Sequence, residues 1–314
     1  MKRREFIWLL GGAAAWPLGA RAQQLPLVGF VRSSSLAEAR HLTLAFRQGL
    51  RKAGFIEDHT VILAFRSTED RPEQIPALIS DLIGRQASVL VGDTTSALAA
   101  KAAALTTPFV FASGTDPVRD GLVASLSRPG GNVTGVVFFN SVLGAKRLEL
   151  LRQLAPTARA LGLLVNLSNR ANEAERSDIE AAALAVGQRL LVQDVRSEAD
   201  IRPAVAGFVQ RGAGALLVGS GAFLNSNRRR VVALAASHAL PAAYSQRETV
   251  AEGGLMSYGA SIPEAYRQVG LYVGRILKGE KPSDLPVMQA VKFEFALNLK
   301  IPDRLVAIAD EVIE

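Results

Sequence analysis

From residue 25 onward the chain alternates between short runs that are apolar at successive positions and longer stretches where apolar residues recur every three or four. The first pattern reads as strands covered on both faces, the second as amphipathic helices. Strands are predicted over 27–31, 61–65, 88–91 and 109–112, with helices over 36–53, 73–84 and 95–104 between them. That order and spacing require parallel pairing through right-handed crossovers. The same grammar restarts near residue 145, with helices over 145–154, 172–186, 199–210 and 225–238 and strands over 161–166, 190–193, 215–218 and 242–244. The expected fold class is α/β, two doubly wound parallel-sheet lobes in tandem.

A weak internal repeat supports two related units. Arg85-Gln86-Ala87-Ser88-Val89-Leu90-Val91-Gly92 is echoed by Arg211-Gly212-Ala213-Gly214-Ala215-Leu216-Leu217-Val218-Gly219, and Pro108-Phe109-Val110-Phe111-Ala112-Ser113 by Pro241-Ala242-Ala243-Tyr244-Ser245. Between the halves, Arg128-Pro129-Gly130-Gly131-Asn132 is a strong turn signal. The strand-like segment 134–139 follows it, and 255–259 and 287–295 offer two further passes between the units. A multi-strand hinge follows, with one lobe built from 25–137 plus about 258–286 and the other from 138–257 plus about 287–314.

The first 22 residues stand outside this pattern. Lys2, Arg3 and Arg4 precede a short apolar run over 6–18, and Ala20-Arg21-Ala22 ends it with small residues at signal-peptidase spacing. This is the layout of a secretory signal, expected to be cleaved between Ala22 and Gln23, and the run is shorter than a membrane span. The Arg pair leaves export by the Sec or the Tat route open. The mature protein is expected to be periplasmic, monomeric and not inserted in the membrane; with no Cys in the chain, a lipid anchor is not expected.

Composition narrows the function. Removing residues 1–22 lowers the formal charge from +7 to +4, so much of the basicity belongs to the export signal. No dense Lys/Arg block with interleaved aromatics remains to suggest nucleic acid, and the one triplet, Arg228-Arg229-Arg230, falls on a helical pattern. His41, His59 and His238 lack metal-ligand spacing. Without disulfides, stability must come from a large core. No Gly-x-Gly-x-x-Gly follows the first mature strand, and Walker A, Gly-x-Ser-x-Gly and His-Glu-x-x-His motifs are absent. No enzyme activity and no cofactor is expected.

Ligands of doubly wound sheets sit beyond the carboxyl ends of the strands. Those ends carry Arg32 with Ser33, Ser34 and Ser35; Asp93 with Thr94 and Thr95; Ser113, Gly114, Thr115 and Asp116; then Asn166 to Asn169, Gly219 to Gly221, and Tyr244 to Arg247. Ser35, Thr94 and Asp116 also stand where helix N-caps are wanted. Hydroxyls and helix-start N–H groups suit a carboxylate, and Asp93 or Asp116 an ammonium group.

Several segments resemble one family. They are Val28-Gly29-Phe30 with its Ser cluster, Ala45-Phe46-Arg47-Gln48-Gly49-Leu50, Ser127-Arg128-Pro129-Gly130-Gly131-Asn132-Val133-Thr134-Gly135, Lys146-Arg147-Leu148-Glu149-Leu150-Leu151 and Gly253-Gly254-Leu255-Met256-Ser257-Tyr258-Gly259. Across the mature chain they resemble substrate-binding proteins of ABC importers, in the group that includes binders of tryptophan and other aromatic amino acids. The resemblance implies a type I periplasmic binding fold, closing by a hinge on a small carboxylate-bearing ligand and delivering it to a membrane permease. The contacts it implies lie at Ser33, Ser34, Ser35, Thr94, Thr95, Ser113, Thr115, Asp116, Phe138, Asn140, Asn166, Ser220 and Tyr244. One departure is a shortened junction at Lys300-Ile301. A periplasmic sensor feeding a membrane kinase and a secreted enzyme on the same scaffold are the alternatives.

Overall fold

The computed structural model describes residues 25–298, other than 38, 70, 104–105, 168–169 and 291, together with 311–313. The export segment, Asn169 and the Lys300-Ile301 junction lie outside the described residues. The first unit runs β1 (Leu27–Arg32), α1 (Arg40–Lys52), β2 (Ile62–Ser67), α2 (Ile75–Gly84), β3 (Val89–Asp93), α3 (Thr94–Ala102), β4 (Phe109–Ser113) and β5 (Val133–Val137). The second begins with α4 (Gly144–Leu154), β6 (Ala160–Val165), α5 (Arg170–Ala185), β7 (Arg189–Asp194), α6 (Glu198–Gln210) and β8 (Ala215–Val218). It continues with α7 (Ala222–Ser226), α8 (Arg228–Ser237), β9 (Ala242–Tyr244), α9 (Arg247–Ala251) and β10 (Met256–Ala260). The chain then forms α10 (Ile262–Leu277), β11 (Met288–Gln289), β12 (Phe293–Asn298) and β13 (Glu311–Ile313).

Two sheets result. The first has the order β11-β5-β4-β3-β1-β2 and is parallel throughout; the second has the order β13-β12-β10-β9-β8-β6-β7, with β12 antiparallel to β10. Each sheet is covered on both faces, which is why its strands are apolar without alternation. In β1, Val28 and Phe30 enter the core beneath α1 and α10, while Leu27 and Val31 enter the core on the opposite face with Ile75, Ile79 and Leu82. The second sheet divides its core in the same way.

Three passes join the units: 138–140 after β5, 260–262 after β10, and 290–293 between β11 and β12. β10 hydrogen-bonds in the second sheet and β11 in the first, so the second and third passes fall a few residues beyond the expected 258 and 286. All three leave at carboxyl ends of parallel strands, which brings the two sets of strand ends together. Local differences have local causes. Residues 36, 37 and 39 lie in turns before α1 rather than in the helix, and the helix expected over 225–238 is broken at Asn227 into α7 and α8.

α10 returns the chain to the first unit, where it packs lengthwise on α1. The two helices meet through glycine: a Cβ at Gly49 would overlap the carbonyl of Arg267, and one at Gly270 would overlap that of Phe46. The obstruction is backbone, so no side-chain rotation relieves it. Gly49→Ala is expected to destabilise the protein by about 1–3 kcal/mol or more through overpacking, read as a lower urea midpoint with the fold retained.

Candidate functional site: a polar cleft at the strand ends

In the first unit, the sheet order turns at the β1–β3 pair, since β1 continues to β2 on one side and β3 to β4 on the other. Such a switch point opens a crevice beyond the strand ends. Asp93 organises it. Its Oδ2 accepts from the backbone N–H and the hydroxyl of Ser33, at 2.9 and 2.6 Å, and its Oδ1 from the N–H and hydroxyl of Ser96, at 2.9 and 2.8 Å. The cap of α3 is therefore Asp93 and not Thr94. With four donors the carboxylate is filled, which removes it as the expected partner for a ligand ammonium group.

Thr94 is released to face Ser113, with their hydroxyl oxygens 2.9 Å apart. Ser113 also accepts from the backbone N–H of Thr115 at 3.1 Å, and Thr115 donates its hydroxyl to Asp120. Asp116 is exposed and accepts from the N–H groups of Val118 and Arg119, so that it caps the 117–120 turn where a helix start was expected. Ser34 accepts from Nε of Arg32 at 2.8 Å, and Ser35 accepts from the N–H of Ala37 in the turn rather than capping α1. Thr95 is exposed on the first turn of α3. Phe138 is half-buried against the α1–α10 core, next to Gly114.

The second unit contributes two clusters. Tyr244, the last residue of β9, and Ser245 after it line a recess with Val218, Gly219, Asn225, Arg228 and Thr249. Burial pushes the Tyr244 hydroxyl well above its ordinary value, so it is protonated at any physiological pH. Asn166 is buried and donates to the carbonyl of Val195 at 2.7 Å, while Asn172 donates to the carbonyl of Asn166, so Asn166 braces loops around the cleft.

The second cluster centres on Arg147 of α4, which is fully buried. One guanidinium nitrogen donates to the carbonyls of Asn140 and Tyr258, at 3.0 and 3.3 Å. The other donates to Glu175 of α5 and, at 3.0 Å, to the Ser220 hydroxyl. Glu175 accepts in turn from the hydroxyl and N–H of Ser220, at 2.7 and 2.9 Å. Asn140 closes the circuit by accepting from the N–H of Ala260 at 2.6 Å. Burial raises the Glu175 carboxyl and lowers Arg147; each shift is opposed by the partner's charge and the hydrogen bond between them, and that of Glu175 also by the Ser220 hydrogen bonds.

The sequence-predicted residues thus fall into four places. Ser33 joins Asp93; Thr94, Ser113 and Thr115 form a hydroxyl row; Asn140 and Ser220 meet through Arg147; Tyr244 stands in the recess of the second unit. Arg147 and Glu175 were not singled out as site residues. Their signal was periodicity: Arg147 lies on the stripe of Gly144, Leu148 and Leu151, and Glu175 on that of Asn172 and Ile179. A charge on an apolar stripe requires a buried partner.

A family model described as ABC transporter substrate binding protein matches residues 27–314. The chain belongs to this family. Among curated relatives of this substrate-binding protein, the tyrosine-binding protein of Clostridioides difficile (strain R20291) is 24% identical over 254 residues, covering 81% of this chain and 73% of the relative. Among solved structures, an ABC domain in complex with L-Trp from Streptococcus pneumoniae is 25% identical, with TM-score 0.82 over 92% of this chain and 100% of that one. The ligand-free, open structure of a substrate-binding protein with adhesive properties from Clostridium difficile is 21% identical, with TM-score 0.70 over 92% of this chain and 99% of that one. The fold is that of the type I periplasmic binding proteins.

Removing one member of a buried ion pair strands the other. Arg147→Met is expected to cost about 3–5 kcal/mol, read by urea denaturation. Replacing Glu175 by Leu in the same protein should recover much of that loss, because the orphaned carboxylate is gone.

Proposed function

We propose that the chain is the exported solute receptor of an ABC importer, that it captures an amino acid or related aromatic or aliphatic carboxylate between its lobes, and that it has no catalytic role. The observation that carries this reading is the meeting of two doubly wound strand-end sets across three passes, lined mainly by hydroxyls and amides. The tyrosine-binding and L-Trp-bound relatives support the ligand class. Ser33, Thr94, Ser113 and Thr115 would hold the polar end of the ligand. Phe138 and Tyr244 would supply apolar walls. A ligand touching both lobes binds the closed arrangement better and shifts the population by that difference. The permease would read the closed form. The two lobes are proposed to move as units about the three passes.

A thermal-shift panel of amino acids and simple aromatic and aliphatic carboxylates tests the function. A true ligand at 100 times its Kd adds about 2.7 kcal/mol, expected as a rise of roughly 5–10 °C for a chain of this size. A flat panel on folded protein would remove this ligand class. Thr115→Val should weaken the hit roughly two- to tenfold, and unchanged affinity would take Thr115 out of the site.

Export is proposed on the strength of residues 1–22 and of the family. Mass spectrometry of the mature protein should find an N-terminal peptide beginning at Gln23, and a retained N-terminus in the secreted fraction would refute cleavage there.

A further inference from the structure

We propose that Arg32 is the anchor for the ligand's carboxylate, and that the ligand is a carboxylic acid lacking a charged amine. This rests on the solute-receptor reading and narrows its ligand class. Arg32 is the last residue of β1, at the switch point of the first sheet, and is half-buried. It shares the side of β1 that carries Val28 and Phe30, which directs it toward α10. Its guanidinium is held at two points. Nε donates to the Ser34 hydroxyl at 2.8 Å, and one terminal nitrogen donates to the buried Tyr266 hydroxyl at 2.9 Å.

Both acceptors are neutral. Among the described residues, Arg47, Arg66, Arg147 and Arg228 each meet a carboxylate, whereas no carboxylate lies within ion-pairing distance of Arg32. The first lobe thus presents a guanidinium fixed in place, whose remaining N–H groups form a fork that fits a carboxylate. Two neutral bonds orient that fork in advance, which lowers the ordering cost of binding.

The acids near the same strand ends are already engaged. Asp93 accepts four hydrogen bonds, Asp120 accepts from Thr115, Asp116 caps the 117–120 turn, and Glu175 is paired with Arg147. A ligand ammonium group would therefore find Asp93 and Glu175 filled and would have to share Asp116, an exposed carboxylate already holding two backbone N–H groups on one oxygen, or Asp120, already holding Thr115, and that weaker reception falls on amino acids and not on their deaminated counterparts.

Calorimetric titration of 3-phenylpropionate, indole-3-propionate and hexanoate, beside L-phenylalanine, L-tryptophan and tryptamine, tests this. The wild-type protein is expected to bind at least one of the three acids at least roughly tenfold more tightly than any of the amine-bearing probes. Arg32→Gln should weaken that acid at least roughly tenfold, with Arg32→Lys intermediate because it keeps the charge and loses the fork. Should Arg32→Gln fail to fold, the Arg32→Lys loss carries the comparison. Equal binding of acid and amino acid, or an unweakened acid in the folded variants, would overturn the Arg32 proposal and leave the receptor reading standing. A wild-type protein that binds none of these probes, and no other solute in the thermal-shift panel, would overturn both.

Discussion

The buried pair of Arg147 and Glu175 ties the strand-end cleft and two of the three passes into one network. Its donors reach the carbonyl of Asn140 in the first pass and the carbonyl of Tyr258 in the strand that leads to the second. Its acceptor side fixes Ser220 at the end of β8 through both the backbone and the hydroxyl. Desolvating two charges is expensive, and an apolar substitute of equal volume often serves stability as well. What an apolar substitute cannot do is specify directions. Four protein segments converge on one guanidinium and one carboxylate, so the passes and a strand end are referenced to the same point.

A second constraint comes from chain path. Lobe membership is decided by sheet pairing rather than by order in sequence, and α10 crosses back to cover the first sheet after the second is nearly complete. Its docking on α1 through Gly49 and Gly270 places Tyr266 under β1, where its hydroxyl holds Arg32. The close approach of two helix backbones and the orientation of a cleft cation are consequences of one contact. Residues more than 200 positions apart in sequence meet at the strand end.

Much of the fold was legible in the sequence because doubly covered strands leave an unmistakable mark. Runs such as Val89-Leu90-Val91 and Ala215-Leu216-Leu217 have apolar residues on both faces, and only a parallel sheet between helices requires that. The partition of β11 and β12 between two sheets was not legible, since a short apolar strand carries no record of which neighbour it pairs with. Of the site, the hydroxyl row followed from strand ends alone. The capping choice between Asp93 and Thr94 did not, because adjacent residues can both cap and only geometry chooses. That choice matters chemically: it fills the acid and frees the hydroxyl.

The two lobes also touch away from the passes, where His41 of α1 lies 3.4 Å from Glu248 of α9. Both side chains are partly exposed, at 43% and 28%, and an ion pair of that kind contributes only about 0–1 kcal/mol even with the histidine charged. Shifting a two-state equilibrium from one dominant form to the other takes about 5.5 kcal/mol of differential affinity. The pair by itself falls well short of that difference. In the proposed closure the difference would come from groups that are satisfied only when both strand-end sets face the same molecule. Hydroxyls on one side and a recess lined by Tyr244 on the other would meet that requirement, each lobe offering groups to one end of the proposed ligand.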